Sequence, residues 1–281
     1  MPGNLYIVST PIGNLSDITF RAIEILKYAD IIACEDTRHT KKVLNHYNIK
    51  ASTTSYHEHN EDSKSERLLK ELLKGKNIAL VTDAGTPCIS DPGFKIVSHA
   101  IKNGVKVVTV PGASSVISSL TLSGLPTNSF SFYGFVPRTK KHIFSLIDNI
   151  KILKTTLIFF ESPNRIIKTL NYFLDGLGNR NAAVCRELTK LHEEVIHGTL
   201  EEIIKKMEIK ESIKGEICLL IEGFQENKRD ELNDDLILVH NKLKSLKSLK
   251  ISLKDAVKVV SQEINLPKKE IYQKALEIWG N

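Results

Sequence analysis

The chain has no apolar run approaching the roughly 18 to 20 residues that a membrane-spanning helix requires, so no membrane association is expected. Met1 to Val8 carry neither the basic start nor the small-residue cleavage site of a signal peptide. They read as the first strand of the fold, and a cytoplasmic protein is expected. The four cysteines (Cys34, Cys88, Cys185, Cys218) are scattered and form no CxxC pair. That excludes zinc-ribbon spacing and leaves reduced, mostly buried thiols. In His192-Glu193-Glu194-Val195-Ile196-His197 the histidines stand five apart, whereas a zinc-protease helix needs them at i and i+4. No metal is expected. There is no GxGxxG after the first strand and no GxxxxGK[ST] anywhere, which disfavours a dinucleotide-binding Rossmann domain and a P-loop.

What is present is 281 residues, 41% hydrophobic and 26% charged, enough for two domains and a small appendage. The net charge of +6 is unevenly placed. Residues 240–281 hold nine Lys against four acidic residues, and the rest of the chain is close to neutral. A basic tail beside a neutral body points to a polyanionic partner, or to a solvated lysine face.

Residues 4 to 125 alternate short strands (Leu5–Val8, Ile31–Cys34, Ile78–Val81, Val105–Val110) with helical patterns at Ile18–Tyr28, Ser65–Leu73 and Phe94–Lys102. That alternation predicts a parallel sheet covered by helices. From 130 to 223, strand candidates at Ser129–Gly134, Thr156–Phe160, Ala182–Glu187 and Glu216–Ile221 are mixed with helices near 139–152, 163–175 and 199–207. Segments 183–187 and 194–197 are close enough for a hairpin, so a mixed sheet and a second domain follow. The turn Leu125-Pro126-Thr127-Asn128 sets the boundary. Gln225 to Asp235 reads as a polar linker. Three short amphipathic helices follow, at Leu236–Leu246, Leu253–Glu263 and Pro267–Ile278. Ser252 is placed to cap the second, and Pro267 suits the first turn of the third. With a tight connection at Ile264-Asn265-Leu266 they form a helix-turn-helix module or a helical cap. The division expected is 1–125, 126–226 and 227–281.

Four strand-ending loops are rich in Gly, Pro and hydroxyl residues. They are Ser9-Thr10-Pro11-Ile12-Gly13-Asn14, Thr82-Asp83-Ala84-Gly85-Thr86-Pro87 with Ser90-Asp91-Pro92-Gly93, Pro111-Gly112-Ala113-Ser114-Ser115, and Phe159-Phe160-Glu161-Ser162-Pro163. Each alone is ordinary turn and cap chemistry. Three at one end of one parallel sheet converge on a crevice where backbone can approach a ligand and a helix start can hold a carboxylate.

The segments LYIVSTPIGNLSDIT, ACEDTRHT, SYHEHN, LVTDAGTPCISDPG, VPGASSV, FYGFVPR, FFESPNRI, CRELTKLHEEVIHGTL and GEICLLIEG run in order over nearly the whole chain. They resemble the bacterial branch of the tetrapyrrole methylase superfamily that 2′-O-methylates a cytidine of 16S ribosomal RNA. The resemblance implies an α/β, tetrapyrrole-methylase-like two-domain fold, with a parallel-sheet N-domain, a mixed-sheet C-domain and a helix-turn-helix-like tail. It implies S-adenosylmethionine in the cleft between the domains, a homodimer, and 16S rRNA or the 30S subunit as partner, with a decoding-centre cytidine as target. Carried onto this chain, the cofactor contacts fall on Pro11, Gly13, Asp83, Ala84, Gly85, Ile89, Ser114, Ser115 and Phe160. The Thr82–Pro87 turn stands where corrin-ring methylases have a GDP-type turn, a departure that favours the ribosomal branch.

A ribose hydroxyl is a poor acid, so a positioned base would help its oxygen attack a sulfonium methyl. Candidates for that base are Glu35, Asp36 and His57. Arg38 is a candidate phosphate clamp, with His59 and Asn60 on the substrate side. Helix capping by Glu35 and Asp36, and a polar surface loop for His57 and His59, are the alternatives. Rival functions are a corrin or uroporphyrinogen methylase, a diphthine-synthase-like enzyme, and a non-catalytic RNA-binding factor.

Overall fold

In the computed structural model residues 1–225, 228–264 and 266–280 are described, with 228–237 described by backbone alone. The first 110 residues supply five strands, β1 (Asn4–Val8), β2 (Ile31–Cys34), β3 (Thr53–Ser55), β4 (Ile78–Leu80) and β5 (Lys106–Val110). They form one parallel sheet in the order β3-β2-β4-β1-β5. Between and after them run α1 (Phe20–Tyr28), α2 (Thr37–His46), α3 (Glu61–Leu73), α4 (Phe94–Lys102) and α5 (Ser115–Leu122). Strand side chains alternate between faces. Leu5, Ala33, Ile78 and Leu80 therefore pack with Leu68 and Leu72 of α3 and Ile96 of α4. Tyr6, Val8, Ile32 and Ala79 pack with Ala22 and Leu26 of α1 and Leu44 of α2. Both faces are covered, as apolar parallel strands demand.

Two elements were not legible in the sequence. Helix α2 is mostly polar and buries Thr40, Val43 and Leu44; β3 is Thr-Thr-Ser, with no apolar residue to announce it.

The second sheet is mixed. Its strands are β6 (Phe130–Phe135), β7 (Thr156–Glu161), β8 (Asn181–Arg186), β9 (Glu194–Thr199) and β10 (Ile217–Ile221), in the order β6-β7-β10-β8-β9. Only β6 and β7 pair in parallel, and β8 with β9 is the expected hairpin. One face packs on α6 (Lys140–Ile150), α7 (Ile166–Leu177) and α8 (Leu200–Glu208), through Ile147, Phe173 and Ile203 against Leu157, Phe159, Val184 and Leu219. The opposite face presents Ile158, Ala183, Cys185, Cys218 and Leu220 to Ile12 and to Val116 and Leu120 of α5. That second face brings the loops of the first sheet over the second.

The chain divides into two compact units, Met1–Phe224 and Gln225–Asn281. The tail unit holds α9 (Lys228–Ser248), α10 (Leu253–Glu263) and α11 (Lys268–Trp279) around Val239, Leu243, Ala256, Val260, Ile271 and Ala275. The Ser252 hydroxyl caps α10 by accepting from the Asp255 N–H at 3.3 Å. The polar stretch read as a linker is helical from Lys228 onward, because a charged run without Gly or Pro contains no breaker. Glu226, Asn227 and Asn265 lie outside the described residues, and with them the expected 226/227 boundary and the centre of the tight turn. Among the described residues no helix is long and apolar enough to cross a membrane.

Candidate active site

The three glycine-rich loops of the first sheet are bonded to one another. Thr10 and Gly85 exchange two backbone hydrogen bonds of 2.8 and 3.1 Å, which require the left-handed φ of +84° at Gly85. The Ser9 and Thr86 hydroxyls meet at 2.9 Å, and Thr86 also donates to the Ala113 carbonyl at 3.2 Å. Ser114 is the N-cap of α5, so the first turn of that helix opens toward the same space. Cys88 (φ +71°) and Ser90 (φ +62°) adopt the left-handed conformation without being glycine. Such strain persists where surrounding structure enforces it, commonly at functional sites.

These loops wall a cavity of about 470 Å³. Ile12, Asp83, Ala84, Gly85, Ile89, Ser114 and Ser115 line it from the first sheet; Phe160, Ser162, Leu188 and Gly215 to Cys218 line it from the second. Of the sequence candidates, Asp83, Ala84, Gly85, Ile89, Ser114, Ser115, Phe160 and Glu35 are on its wall. Pro11 is buried beside it, and Ile12 takes the lining position. Gly13 lies against the second sheet's loops instead: a Cβ there would stand 2.4 Å from Lys190 Cγ and 2.9 Å from Thr189 Oγ1. Asp36, Arg38, His57, His59 and Asn60 lie outside the lining.

The candidate bases are in different chemical states. Asp36 caps α2, accepting from the Arg38 N–H at 2.8 Å, and pairs with the Arg38 guanidinium at 3.0 Å. The Arg38 side chain and then its backbone N–H hold the Asp36 carboxyl down at about 2. A carboxylate so committed is a weak base. Burial, and then the charge of Asp83, push Glu35 above the usual carboxylate range. His57 Nε2 meets the Asn60 side-chain amide at 3.1 Å, while Asn60 Oδ1 accepts from the His57 N–H at 3.0 Å. Nδ1 of His57 is buried with no hydrogen-bond partner among the described residues. His59 is exposed beside it, with ring centroids 6.0 Å apart.

Sequence reasoning missed several lining residues. Asp91 stood in a quoted loop, but as part of a turn. Glu161 belonged to a quoted motif, and its carboxylate is buried. Gly215 to Cys218 announced only a strand. Their place on the wall comes from the packing of the second sheet over the first, for which local pattern holds no signal. On the floor, burial pushes the Cys185 and Cys218 thiols up to about 11 and about 12, so both stay protonated. His192 lies in a turn, and His197 on β9 has Nε2 2.8 Å from the Leu122 carbonyl.

The fold and site define a two-sheet α/β protein whose ligand cleft lies between the carboxyl ends of a parallel sheet and the face of a mixed one. Residues 4–204 match the Tetrapyrrole (Corrin/Porphyrin) Methylases. Ribosomal RNA small subunit methyltransferase I of Halalkalibacterium halodurans is 48% identical over 96% of this chain and 93% of its own. The protein of that name from Bacillus subtilis is 43% identical over 96% and 93%. Among solved structures, a diphthine synthase superposes with a TM-score of 0.62 at 18% identity, over 78% of this chain and 90% of that one. A uroporphyrin-III-C-methyltransferase from Thermus thermophilus gives 0.54 at 18% identity, over 78% and 94%. The chain belongs to the tetrapyrrole methylase family, in the branch of the small-subunit ribosomal RNA methyltransferases I, and is an S-adenosylmethionine-dependent enzyme.

The residues present fit that cofactor. Carboxylates of Asp83, Glu35 and Asp91 suit its cationic groups, and the start of α5 suits its carboxylate. Ile12, Ile89, Phe160 and Leu188 offer apolar surface for an adenine. Among the described residues no group of three or more His, Cys, Asp or Glu is arranged to hold a metal ion.

Proposed function

We propose that the protein 2′-O-methylates a cytidine in 16S rRNA of the small ribosomal subunit, at the decoding centre. One observation carries this reading. The family match ends at residue 204, yet the two rRNA methyltransferase relatives named above align over 96% of the chain, and so over most of its tail. The tetrapyrrole and diphthine enzymes are spent on 78% of this chain, and at 18% identity they share the fold alone. The porphyrinogen and diphthine readings are therefore set aside. An intact, carboxylate-lined cavity speaks against a non-catalytic binding factor.

When bound, S-adenosylmethionine supplies an electrophilic methyl group on a sulfonium. The loops carrying Asp83, Gly85 and Ser115 hold the cofactor, and pre-orientation supplies most of the rate. Pro11 and Gly13 act from behind this wall. Of the three candidate bases, Glu35 combines a place on the cavity wall with a raised proton affinity. Arg38, whose side chain is 89% exposed, engages a phosphate; His57, His59 and Asn60 form the adjoining substrate loop. Residues 1–125 hold the cofactor loops, 126–226 close the cavity, and 227–281 contact rRNA. The enzyme works in the cytoplasm as a homodimer, for which exposed Phe94 and Phe135 offer apolar contact surface.

The test is transfer of labelled methyl to 30S subunits, free rRNA and a porphyrinogen, with the modified nucleotide mapped in a deletion strain. Label in a cytidine 2′-O-methyl is expected. Label in the porphyrinogen, or an unchanged rRNA in the deletion strain, overturns the reading. Sedimentation of the purified protein tests the dimer.

A further inference from the structure

The motifs FYGFVPR and FFESPNRI run past the cavity wall onto the outer surface of the second sheet's helices. Phe135, Ser162 and Pro163 line the cavity. The chain passes directly from them into the loop before α6 and into the start of α7. Residues 136–147 and 162–174 hold five lysines and arginines and no acidic residue. Arg165 is engaged by the buried carboxylate of Glu161. Asp148, the next acid along α6, is paired with Lys151 at 3.0 Å. Arg138, Lys140, Lys141 and Lys168 are exposed, and among the described residues none of the four has an ion-pair partner.

Their placement is fixed. The Val136 N–H donates to the Phe160 carbonyl at 3.1 Å, and Arg165 donates to the carbonyls of Val136 and Pro137. The loop that carries Arg138 is thereby pinned to β7 and α7. Phe144 of α6 and Tyr172 of α7 meet edge to face, with centroids 5.7 Å apart. Lys140 Nζ stands 5.6 Å from the Phe144 centroid and 5.9 Å from that of Tyr172, and Lys168 Nζ stands 5.8 Å from the same Tyr172 ring. The ring faces attract both ammoniums. Two like charges gathered on one ring still repel each other, and an anion bound beside the ring relieves that repulsion.

The rim of the cavity is therefore divided by charge. Its first-sheet side carries Glu35, Asp83 and Asp91, a set that repels a polyanion. Its second-sheet side leads to the four free cations. A nucleotide entering the cavity brings the phosphates on either side of it, and those have to lie along the rim. We propose that Arg138, Lys140, Lys141 and Lys168 form an RNA-backbone track that receives the phosphates flanking the target nucleotide. The inference rests on the functional reading above and is separate from the contact assigned to residues 227–281. Ammonium and guanidinium groups meeting phosphate oxygens fix the register of the strand and carry no sequence information. The track thus positions the substrate and leaves the choice of base to the cavity.

Filter binding of the full-length protein to deproteinised 16S rRNA across a salt series reads the track without turnover. The fourfold variant Arg138→Ala, Lys140→Ala, Lys141→Ala and Lys168→Ala should bind about 10- to 100-fold more weakly. The slope of log Kd against log salt should become shallower by about 3, at roughly 0.7 for each lost single-strand phosphate contact. A control removes the same charge from exposed Lys27, Lys50, Lys102 and Lys106, at the amino-terminal edge of the parallel sheet opposite the cavity. Its binding should stay within about threefold of the wild type, since only net charge has changed. Lys140→Arg with Lys168→Arg should retain wild-type binding. With 30S subunits, the track variant should raise KM by about 10- to 100-fold and hold kcat within about threefold, with S-adenosylmethionine affinity by calorimetry unchanged. An unchanged salt slope, or equal loss in the track and control variants, overturns the track. Parallel loss of cofactor binding makes these residues structural and overturns it too. Lost binding to phosphatidylglycerol vesicles at unchanged rRNA affinity would make the patch a lipid surface, which also overturns it. A wild type that transfers no methyl to 30S subunits or free rRNA overturns the functional reading instead, while the filter-binding comparison still decides the track.

Discussion

Arg165, at the start of α7, reaches back to the buried carboxylate of Glu161 at the end of β7, with Nη2 3.2 Å from Oε2. Glu161 also accepts from the Thr169 hydroxyl at 2.6 Å and the Ser162 N–H at 2.7 Å. Arg165 donates in addition to the carbonyls of Val136 and Pro137 at 3.0 and 2.6 Å. One ion pair thereby ties β7, α7 and the loop after β6 into the wall that carries Phe160 and Ser162.

The two halves of this pair should respond unequally to removal. Arg165→Ala leaves a buried carboxylate without its cation, and is expected to cost about 3 kcal/mol in urea unfolding. Glu161→Gln leaves a partly exposed guanidinium that keeps two carbonyl partners, and should cost about 1 to 2 kcal/mol. The reverse ranking would show that Glu161 is not held by Arg165.

Asp83→Ala should weaken S-adenosylmethionine binding, and Ser115→Trp should block it by filling the cavity. Asp83 also accepts from the Asp36 N–H. Asp83→Asn separates the roles, since the amide keeps that acceptor and loses the charge. Calorimetry should rank affinity wild type, then Asn, then Ala. Normal binding by both Ala and Trp variants places the cofactor elsewhere.

Arg38→Ala should raise the apparent KM for 30S subunits and leave kcat less affected, as for a lost phosphate contact. It also releases Asp36, whose carboxyl should rise from about 2 toward its ordinary range. Among the sequence candidates, Glu35→Gln should lower single-turnover rates most and Asp36→Asn least. A larger effect at Asp36 than at Glu35 contradicts the assignment.

Asp91 predicts a pH dependence of stability. A carboxyl raised from 3.8 to about 6 binds more protons folded than unfolded. Its contribution is full below the unfolded value and is lost as pH rises through the folded one. Asp91→Asn should therefore flatten the stability curve between pH 4 and 6. It should add about 1 kcal/mol at neutral pH, after discounting for partial exposure. Unfolding midpoints measured across that window check it.

Truncation after Glu226 should leave a folded protein that binds cofactor, since the tail has its own apolar core. RNA affinity should drop and its salt dependence become shallower as lysine–phosphate contacts disappear. An unfolded product would make the tail a structural cap; unchanged RNA binding would remove it from substrate recognition.

The sequence by itself determined the order of most elements and the loops that wall the cavity. Strand runs such as Ile31–Cys34 and Ile217–Ile221 are apolar enough to be read locally, and α10 was placed at its observed bounds. Signals of this kind depend on neighbours within a few residues of chain. Where the local signal is weak, as in α2 and β3, the elements exist because the sheet and its covering layer supply partners. The state of each carboxylate was likewise a tertiary matter. Glu35 and Asp36 are adjacent in sequence and alike in type, yet one is half-buried near the charge of Asp83 and the other is spent on Arg38. Asp91 and Glu35, far apart in sequence, line the same cavity, and burial followed by the charges of Glu35 and Asp83 raises Asp91 to about 6. Proton affinity depends on burial and on charges a few ångströms away, and those distances are set only when the sheets pack.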